Sequence, residues 1–383
     1  MTPTHLHIIS FDVPYPPDYG GVVDVFFKIT ALSALGVKIH LHCFQYGREK
    51  ASVLEKYCHE VNYYPRKTTK LKLFSRLPYI VSSRESEAMM TNLLKDQYPI
   101  LMEGLHSTLY IKDNRLSGRK IIVRSHNIEH NYYWQLAAIE KNPFRKWYFT
   151  SEARKLEVYE PVIEKANYVA TISPAEHNYI NSRYSNSFYL PAFHPNEKVN
   201  SMTGTGSYAL YHGNLAVGEN NKAALFLIEE VFNEFDFPLI IAGNNPSAEL
   251  VKAVNENKKV QIKTNLGAEE MQRLIMDAQI NILPTFQSTG IKLKLVNALF
   301  SGRFCIANKL MVEGTGLETL CVVADSAAEM KKAIQQFKQK DFAMEMIKER
   351  EEVLQKQFNN TFNARSLMEK FFDTHGQDWN FMV

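Results

Sequence analysis

Two apolar patterns alternate along the chain. Short, nearly continuous apolar runs fall at residues 5–12, 37–46, 100–105, 120–124 and 168–172. Stretches with helical spacing lie between them, from Gly20 and Gly21 to about Gly36, then over 129–138 and 144–166. Such runs predict parallel strands covered on both faces by helices. Gly36, just past the first helical run, fits a helix C-terminal cap. Residues 191–207 (PAFHPNEKVNSMTGTGS) are polar, with two Pro and two Gly, and read as a linker. The alternation then restarts. Strands are expected at 208–212, 239–242, 260–264, 280–283 and 304–307, and a helix over 221–235. Residues 327–357 read as helix. Residues 363–372 form an amphipathic segment whose apolar side needs a partner, which the first domain can supply. The expected fold is α/β, with two doubly wound Rossmann-like domains. The first covers residues 1–195 plus a returning helix at about 360–383, and the second covers 205–358.

Composition narrows the function classes. The 383 residues suit two or three domains, of which the alternation accounts for two, and 45% hydrophobic content supplies their cores and excludes wholesale disorder. Lys and Arg number 44 against 41 Asp and Glu, a balance that argues against nucleic acid as a partner. Cys43, Cys58, Cys305 and Cys321 form no CxxC pair and sit in or beside apolar stretches, so they read as reduced core thiols. The start, MTPTHLHIISFDVPYP, has no signal-peptide pattern, and no run approaches the roughly 18 apolar residues that span a bilayer. A cytoplasmic protein is expected, with peripheral contact at the inner membrane face as an option. Residues 66–84 motivate that option: six basic residues and no acid, interleaved with Leu, Phe and Tyr. A solvated loop and helix would read the same way.

Residues 283–308 (LPTFQSTGIKLKLVNALFSGRFCIAN) carry the clearest chemistry. A strand ends at Pro284, and a small polar turn with Thr289 and Gly290 opens a helix from Ile291. Unpaired N–H groups at a helix start suit an anion. Lys292 and Lys294 in the first turn oppose the helix dipole unless an anion arrives, which points to a diphosphate. Two solvated lysines on a surface helix are the plain alternative. Tyr208–Asn221 places Gly213 and Asn214 after a strand, where α/β sheets bind ligands, and Gly20 and Gly21 hold the parallel place in the first domain. Neither loop is GxGxxG, so a dinucleotide oxidoreductase is poorly supported.

Taken together, GIKLKLVNALFSGRFCIAN, YHGNL, the early Gly-Gly loop and RSHNIEHNYY at 124–133 resemble retaining GT-B glycosyltransferases of the family 4 type. The resemblance runs over nearly the whole chain in order and spacing. It implies two Rossmann-like domains facing a cleft and transfer of a sugar from a nucleotide-diphosphate sugar to a glycan or lipid-linked acceptor. No cofactor is implied beyond the nucleotide sugar as co-substrate. Lys292 and Lys294 match the donor-diphosphate residues, and Thr289 and Gly290 the turn before them. Gly213 and Asn214 match the second-domain donor loop, and Gly20 and Gly21 the first-domain loop beside diphosphate and sugar. His126 matches a histidine near the reacting sugar; a structural histidine is the other reading. Asn297 stands where the family has a ribose-binding Glu, and Thr289 where it has another. Glu103, His106 and Glu129 are candidate sugar or acceptor contacts, or else strand-end and helix-cap hydrogen bonds. No Asp-x-Asp occurs, so the lysines would replace a metal in stabilising the leaving diphosphate. A non-catalytic nucleotide-sugar-binding relative and a GT-B-fold UDP-sugar epimerase are the alternatives.

Overall fold

The computed structural model describes residues 4–69, 72–73, 75–233, 235–286 and 292–372. The chain divides into two compact units, Met1–Pro195 with Phe358–Val383, and Asn196–Gln357.

The first unit holds a seven-stranded sheet in the order β3-β2-β1-β4-β5-β6-β7, every pairing parallel. Its strands are β1 (His5–Ser10), β2 (Lys38–Gln45), β3 (Glu60–Pro65), β4 (Ile100–Glu103), β5 (Ile121–Arg124), β6 (Tyr168–Thr171) and β7 (Ser187–Tyr189). Helices α1 (Gly20–Ala34), α2 (Tyr79–Ser82), α3 (Glu87–Leu93), α4 (Glu129–Ile139), α5 (Pro143–Tyr159) and α6 (Pro174–Tyr184) connect them. Leu6, Ile8, Ile39, Leu41, Leu101 and Ile122 pack with Val22, Val25, Ile29 and Leu32 of α1 in one core. Ile9, Met102 and Val123 pack with Met89, Met90, Leu93 and Leu156 in the other. Burial on both faces is why these strands read as continuous apolar runs. The helix predicted over 144–166 is α5 followed by a 3-10 turn at Glu160–Lys165. Pro161, in that turn, has no N–H to continue the α-helical ladder.

The second unit holds a six-stranded parallel sheet, β10-β9-β8-β11-β12-β13. Its strands are β8 (Ala209–His212), β9 (Leu239–Ala242), β10 (Val260–Lys263), β11 (Ile280–Leu283), β12 (Phe304–Ala307) and β13 (Val322–Val323). Helices α7 (Gly218–Phe226), α8 (Ala248–Glu256), α9 (Ala268–Asp277), α10 (Leu293–Ser301), α11 (Lys309–Val312), α12 (Ala327–Phe337) and α13 (Met344–Gln357) complete it. The helix expected over 221–235 begins at Gly218, and after Phe226 it widens into a π-turn at Leu227–Val231. The long helix expected over 327–357 is two helices. The break holds Phe342, 1% exposed, which bridges to Gly204. Helix α14 (Asn360–Phe372) belongs to the first unit, where Ala364, Leu367, Met368 and Phe371 join the α1 core. The rest of the expected 360–383 helix lies outside the described residues.

Candidate functional site

In the first sheet the order turns at β1, whose neighbours are β2 and β4. The crevice beyond the carboxyl ends of β1 and β4 is therefore the switch point, where open α/β sheets bind ligands. Buried charged residues converge there. Lys28 Nζ, from α1, donates to Asp24 Oδ2 (2.9 Å) and to both oxygens of Glu103 (2.7 and 3.0 Å). Arg124, the last residue of β5, donates to Asp24 through Nη2 (2.9 Å) and Nε (3.1 Å). The Phe193 N–H donates to Asp24 Oδ1 as well (2.8 Å). Asp24, Lys28, Glu103 and Arg124 are all fully buried. Burial alone would raise the Asp24 carboxyl, but Arg124, Lys28 and His126 hold it far below the usual range. Glu103 is likewise held down, by Lys28 and His126 against its burial.

His126 hangs on this network. Its Nε2 lies 2.8 Å from Glu103 Oε2, and a carboxylate can only accept, so Nε2 carries the proton. Nδ1, 3.8 Å from Asp24, is buried without a hydrogen-bond partner. The rings of His126 and His106 stand 5.4 and 5.3 Å from that of Phe11, and a Cβ on Gly21 would meet the Phe11 ring at 2.8 Å. Gly20 and Gly21 open α1 after Tyr19, which gives no side-chain cap. The sequence candidates Gly21, Glu103, His106 and His126 are thus brought together. Glu103, however, is not presented to a ligand as expected; its oxygens are taken by Lys28 and His126. Glu129, 7% exposed, begins α4, and its Oε1 is 3.9 Å from His106 Nδ1. Burial, helped by Glu176 and Glu160 and opposed by Arg84, pushes its carboxyl up to about 8. His106 is kept neutral by burial, with Arg84 and His126 adding to the effect.

Asp24, Glu103 and His126 lie close enough to hold a metal ion by distance. Their chemistry does not fit one. Lys28 and Arg124 already supply two positive charges to two carboxylates, and a cation added there would face both at contact range.

In the second sheet the order turns at β8, between β9 and β11. Lys294, in the first turn of α10, reaches this switch point. Its Nζ donates to Asn220 Oδ1 (2.9 Å) and Tyr211 OH (3.5 Å) and lies 5.2 Å from the Tyr211 ring centroid. Asn220 Nδ2 in turn donates to the Asn214 carbonyl (3.0 Å), and a Cβ on Gly213 would meet Asn220 at 3.2 Å. Gly213, Asn214 and Lys294 thus share one crevice. Glu219 enters it too, accepting from Thr285 Oγ1 and from the Phe286 N–H (3.3 Å). Burial lowers the Lys294 ammonium to about 8, with Glu219 opposing and Lys292 assisting. His212, 6% exposed, is held neutral by burial and Lys294, and its Nε2 is buried without a partner.

Two expectations change here. Lys292 is the N-cap of α10 rather than a residue of its first turn, since the helix begins at Leu293. Asn297 is tied to Asn196, whose Nδ2 donates to Asn297 Oδ1 at 2.8 Å. Thr289 and Gly290 lie outside the described residues. Asp24, Lys28, Arg124, Glu219 and Asn220 were not singled out from sequence. Asp24 and Lys28 did leave a signal, two charges four residues apart in the apolar run VVDVFFKITAL.

The basic stretch 66–84 is not a free cationic face. Arg84 is buried and donates to the Phe11 carbonyl (2.9 and 2.8 Å). Arg66 donates to Ser83 (2.8 Å) and covers the Tyr46 ring, while Lys67 and Lys72 pair with Glu85. The four cysteines are free thiols, Cys43 and Cys305 buried and Cys58 and Cys321 half-buried. Among the described residues no helix is long and apolar enough to cross a membrane.

Comparison with known proteins agrees with this geometry. Residues 206–340 match the family model described as glycosyl transferases group 1. An uncharacterised 44.6 kDa protein in the cps region of Klebsiella pneumoniae is 26% identical over 328 residues, 81% of this chain and 84% of that protein. A glycosyltransferase from Rickettsia africae superposes with a TM-score of 0.65 at 12% identity, covering 98% of this chain and 100% of its own. A variant of S. aureus TarM, in complex with fondaparinux, alpha-GlcNAc-glycerol and UDP, gives 0.64 at 11% identity, covering 97% and 100%. The second unit thus carries a match to the glycosyl transferases group 1 domain, and the chain along its length shares the GT-B fold of these glycosyltransferase structures.

Proposed function

We propose that the protein transfers a sugar from a nucleotide-diphosphate sugar to a glycan or lipid-linked acceptor, with retention and without a metal. The observation that carries this reading is Lys294. It is a partly buried ammonium at the switch point of the second sheet, its partners among the described residues the neutral oxygens of Asn220 and Tyr211. Such a cation is under-neutralised and gains from a diphosphate. As the bond from sugar to phosphate oxygen breaks, the electron pair goes to the diphosphate, and Lys294, Lys292 and the α10 N-terminus stabilise the growing charge. Gly213 leaves room for the donor backbone approach, and Asn214 and Asn297 offer amides for hydroxyls.

In the first unit His126 is the candidate sugar contact. Its Nδ1 has no hydrogen-bond partner, and Glu103 holds the ring through Nε2. Gly20 and Gly21 keep the start of α1 open beside it, and His106 and Glu129 extend the same crevice. Lys28 and Arg124 neutralise the carboxylates, which supports metal-independent chemistry. The S. aureus neighbour bound to UDP and a sugar-glycerol, and the relative in a cps region, support a UDP-type donor and a glycan acceptor. Contact with the inner face of the membrane is part of the reading.

The test is a thermal-shift and hydrolysis screen of UDP-, GDP- and ADP-sugars on wild type and Lys294→Ala. A shift with one donor, weakened at least roughly tenfold in affinity by the substitution, is expected. No shift with any donor, or equal affinity in both proteins, overturns the donor assignment.

A further inference from the structure

The first unit carries a feature that its polar crevice does not explain. Helices α4 and α5 are joined by a short tip, and residues 141–147 (KNPFRKW) are all exposed. Phe144 is 83% exposed, Ile139 66% and Trp147 60%, with Trp134 at 37% on the preceding helix. Four large exposed apolar side chains on one hairpin are unusual on a face meant for water. Cations stand between them: Lys141, Arg145 and Lys146 are exposed as well. Glu140 is the one acid of the tip, and it sits 4.0 Å from Arg145.

The tip is built to be rigid. Asn142 caps α5, its Oδ1 accepting from the N–H groups of Phe144 (3.0 Å) and Arg145 (3.2 Å), and Pro143 pre-sets the first helical residue. Phe144 and Trp147 are three residues apart, so they project from one side of α5. Ala137, Ala153 and Leu156, by contrast, are buried. The hairpin therefore keeps its own core and still presents aromatic rings outward.

We propose that this tip is a membrane-docking element whose partner is an anionic lipid bilayer surface. Aromatic side chains of the Trp and Phe type settle at the level of lipid headgroups, and flanking Lys and Arg meet the phosphates. The composition fits a bilayer better than a protein groove. The apolar residues are exposed at the tip of a helical hairpin, and Lys, depleted at protein interfaces, is interleaved with them. The basic stretch at 66–84, whose described cations are largely engaged, does not play this part, though it braces the hairpin. Lys155 of α5 donates to the Leu73 carbonyl (2.7 Å), and the Tyr79 N–H donates to Glu152 (2.6 Å). The inference deepens the membrane contact of the proposed function and rests on that part of it, but it is independent of the donor assignment and requires no nucleotide sugar.

The experiment is co-sedimentation of the full chain with vesicles of phosphatidylcholine and phosphatidylglycerol in equal parts, against pure phosphatidylcholine. Wild type should bind the anionic vesicles and lose binding at high salt. Phe144→Ser/Trp147→Ser should bind at least roughly tenfold more weakly, and replacing Lys141, Arg145 and Lys146 by Gln should cost roughly fivefold per cation. Trp134→Phe/Trp379→Phe leaves Trp147 as the reporter, and its emission should move to the blue on binding. These side chains are exposed, so melting temperature and donor-induced thermal shift should not change, which separates loss of docking from loss of fold or of donor binding. Equal sedimentation of wild type and Phe144→Ser/Trp147→Ser overturns the proposal. So does a wild-type dimer in solution that the double substitution splits, since the face would then belong to a second copy.

Discussion

Replacing Glu129 by Gln tests whether burial governs the first-unit crevice. The carboxyl sits at the start of α4, where the helix dipole favours its ionised form by about 1 kcal/mol. Arg84 pulls the same way, while burial, Glu176 and Glu160 pull harder in the other direction and move it from 4.5 to about 8. The folded carboxyl thus keeps its proton to higher pH than the unfolded one. Below about pH 4.5 both states are protonated and the residue contributes nothing to pH dependence. Between about 4.5 and 8 only the folded state holds the proton, so stability is lost as pH rises, by about 1.4 kcal/mol per pH unit. Gln cannot ionise and escapes this loss. Glu129→Gln should therefore gain on wild type steadily from about pH 5 to pH 8, by up to about 5 kcal/mol, and the gap should then level off. Denaturant unfolding of both proteins across this range measures it. Parallel stability curves would show the carboxylate ionised throughout, with the helix N-terminus and Arg84 outweighing burial, and would refute the reasoning.

The Lys28→Met substitution strands the buried Asp24 and Glu103 carboxylates and should cost about 3–5 kcal/mol in the same unfolding assay; a loss below about 1 kcal/mol would show that Arg124 and His126 suffice. Donor affinity should fall about tenfold per pH unit above about pH 8 as Lys294 loses its proton, and Lys294→Arg should flatten that fall in a binding titration. A Cβ on Gly243 would lie 1.8 Å from the Gly213 carbonyl oxygen, so Gly243→Ala must displace the β8 loop; it should lower the melting temperature and weaken donor binding together. An unchanged donor affinity in folded Gly243→Ala would remove that loop from the donor site.

The strands were legible because parallel strands are buried on both faces and leave unbroken apolar runs; residues 37–46 contain β2 almost residue for residue. Strand β3 was not, since EVNYYP sits at the sheet edge, partly exposed, and mixes polar residues with Tyr. The break between α12 and α13 was hidden by Lys-rich, helix-favouring sequence on both sides, and long-range contacts specify it, among them the bridge from Phe342 to Gly204 and the hydrogen bonds from Gln279 to the Phe337 and Lys340 carbonyls. The same limit applies to the site. Gly21, Gly213 and Lys294 announce themselves by local pattern, as turn glycines or as a cation at a helix start, while His126 came only from the family resemblance. Asp24 and Lys28 look like a surface pair at helical spacing until Glu103, 75 residues beyond Lys28, closes over them. Glu219 and Asn220 carry no local signal, because what matters is their reach to Thr285 and Lys294 across the sheet.

Charge accounting in the two crevices separates their roles in the proposed reaction. In the first unit two carboxylates meet two permanent cations, and every one is fully buried. That set is closed: no oxygen is left to act as a base, and an added anion would face Asp24 and Glu103. The remaining capacity is Nδ1 of His126, buried without a hydrogen-bond partner, which suits a sugar hydroxyl. In the second unit the balance runs the other way. Among the described residues Lys294 has neutral partners, and the carboxylate nearest in influence, Glu219, is spent on Thr285 and the Phe286 N–H. Depression of Lys294 to about 8 is the energetic sign of that deficit, since burial of a cation goes uncompensated. An incoming diphosphate would supply the missing charge and raise the Lys294 value back toward its ordinary range. Donor binding above about pH 8 should therefore take up a proton from solution, and titration calorimetry in buffers of different ionisation enthalpy would read it directly.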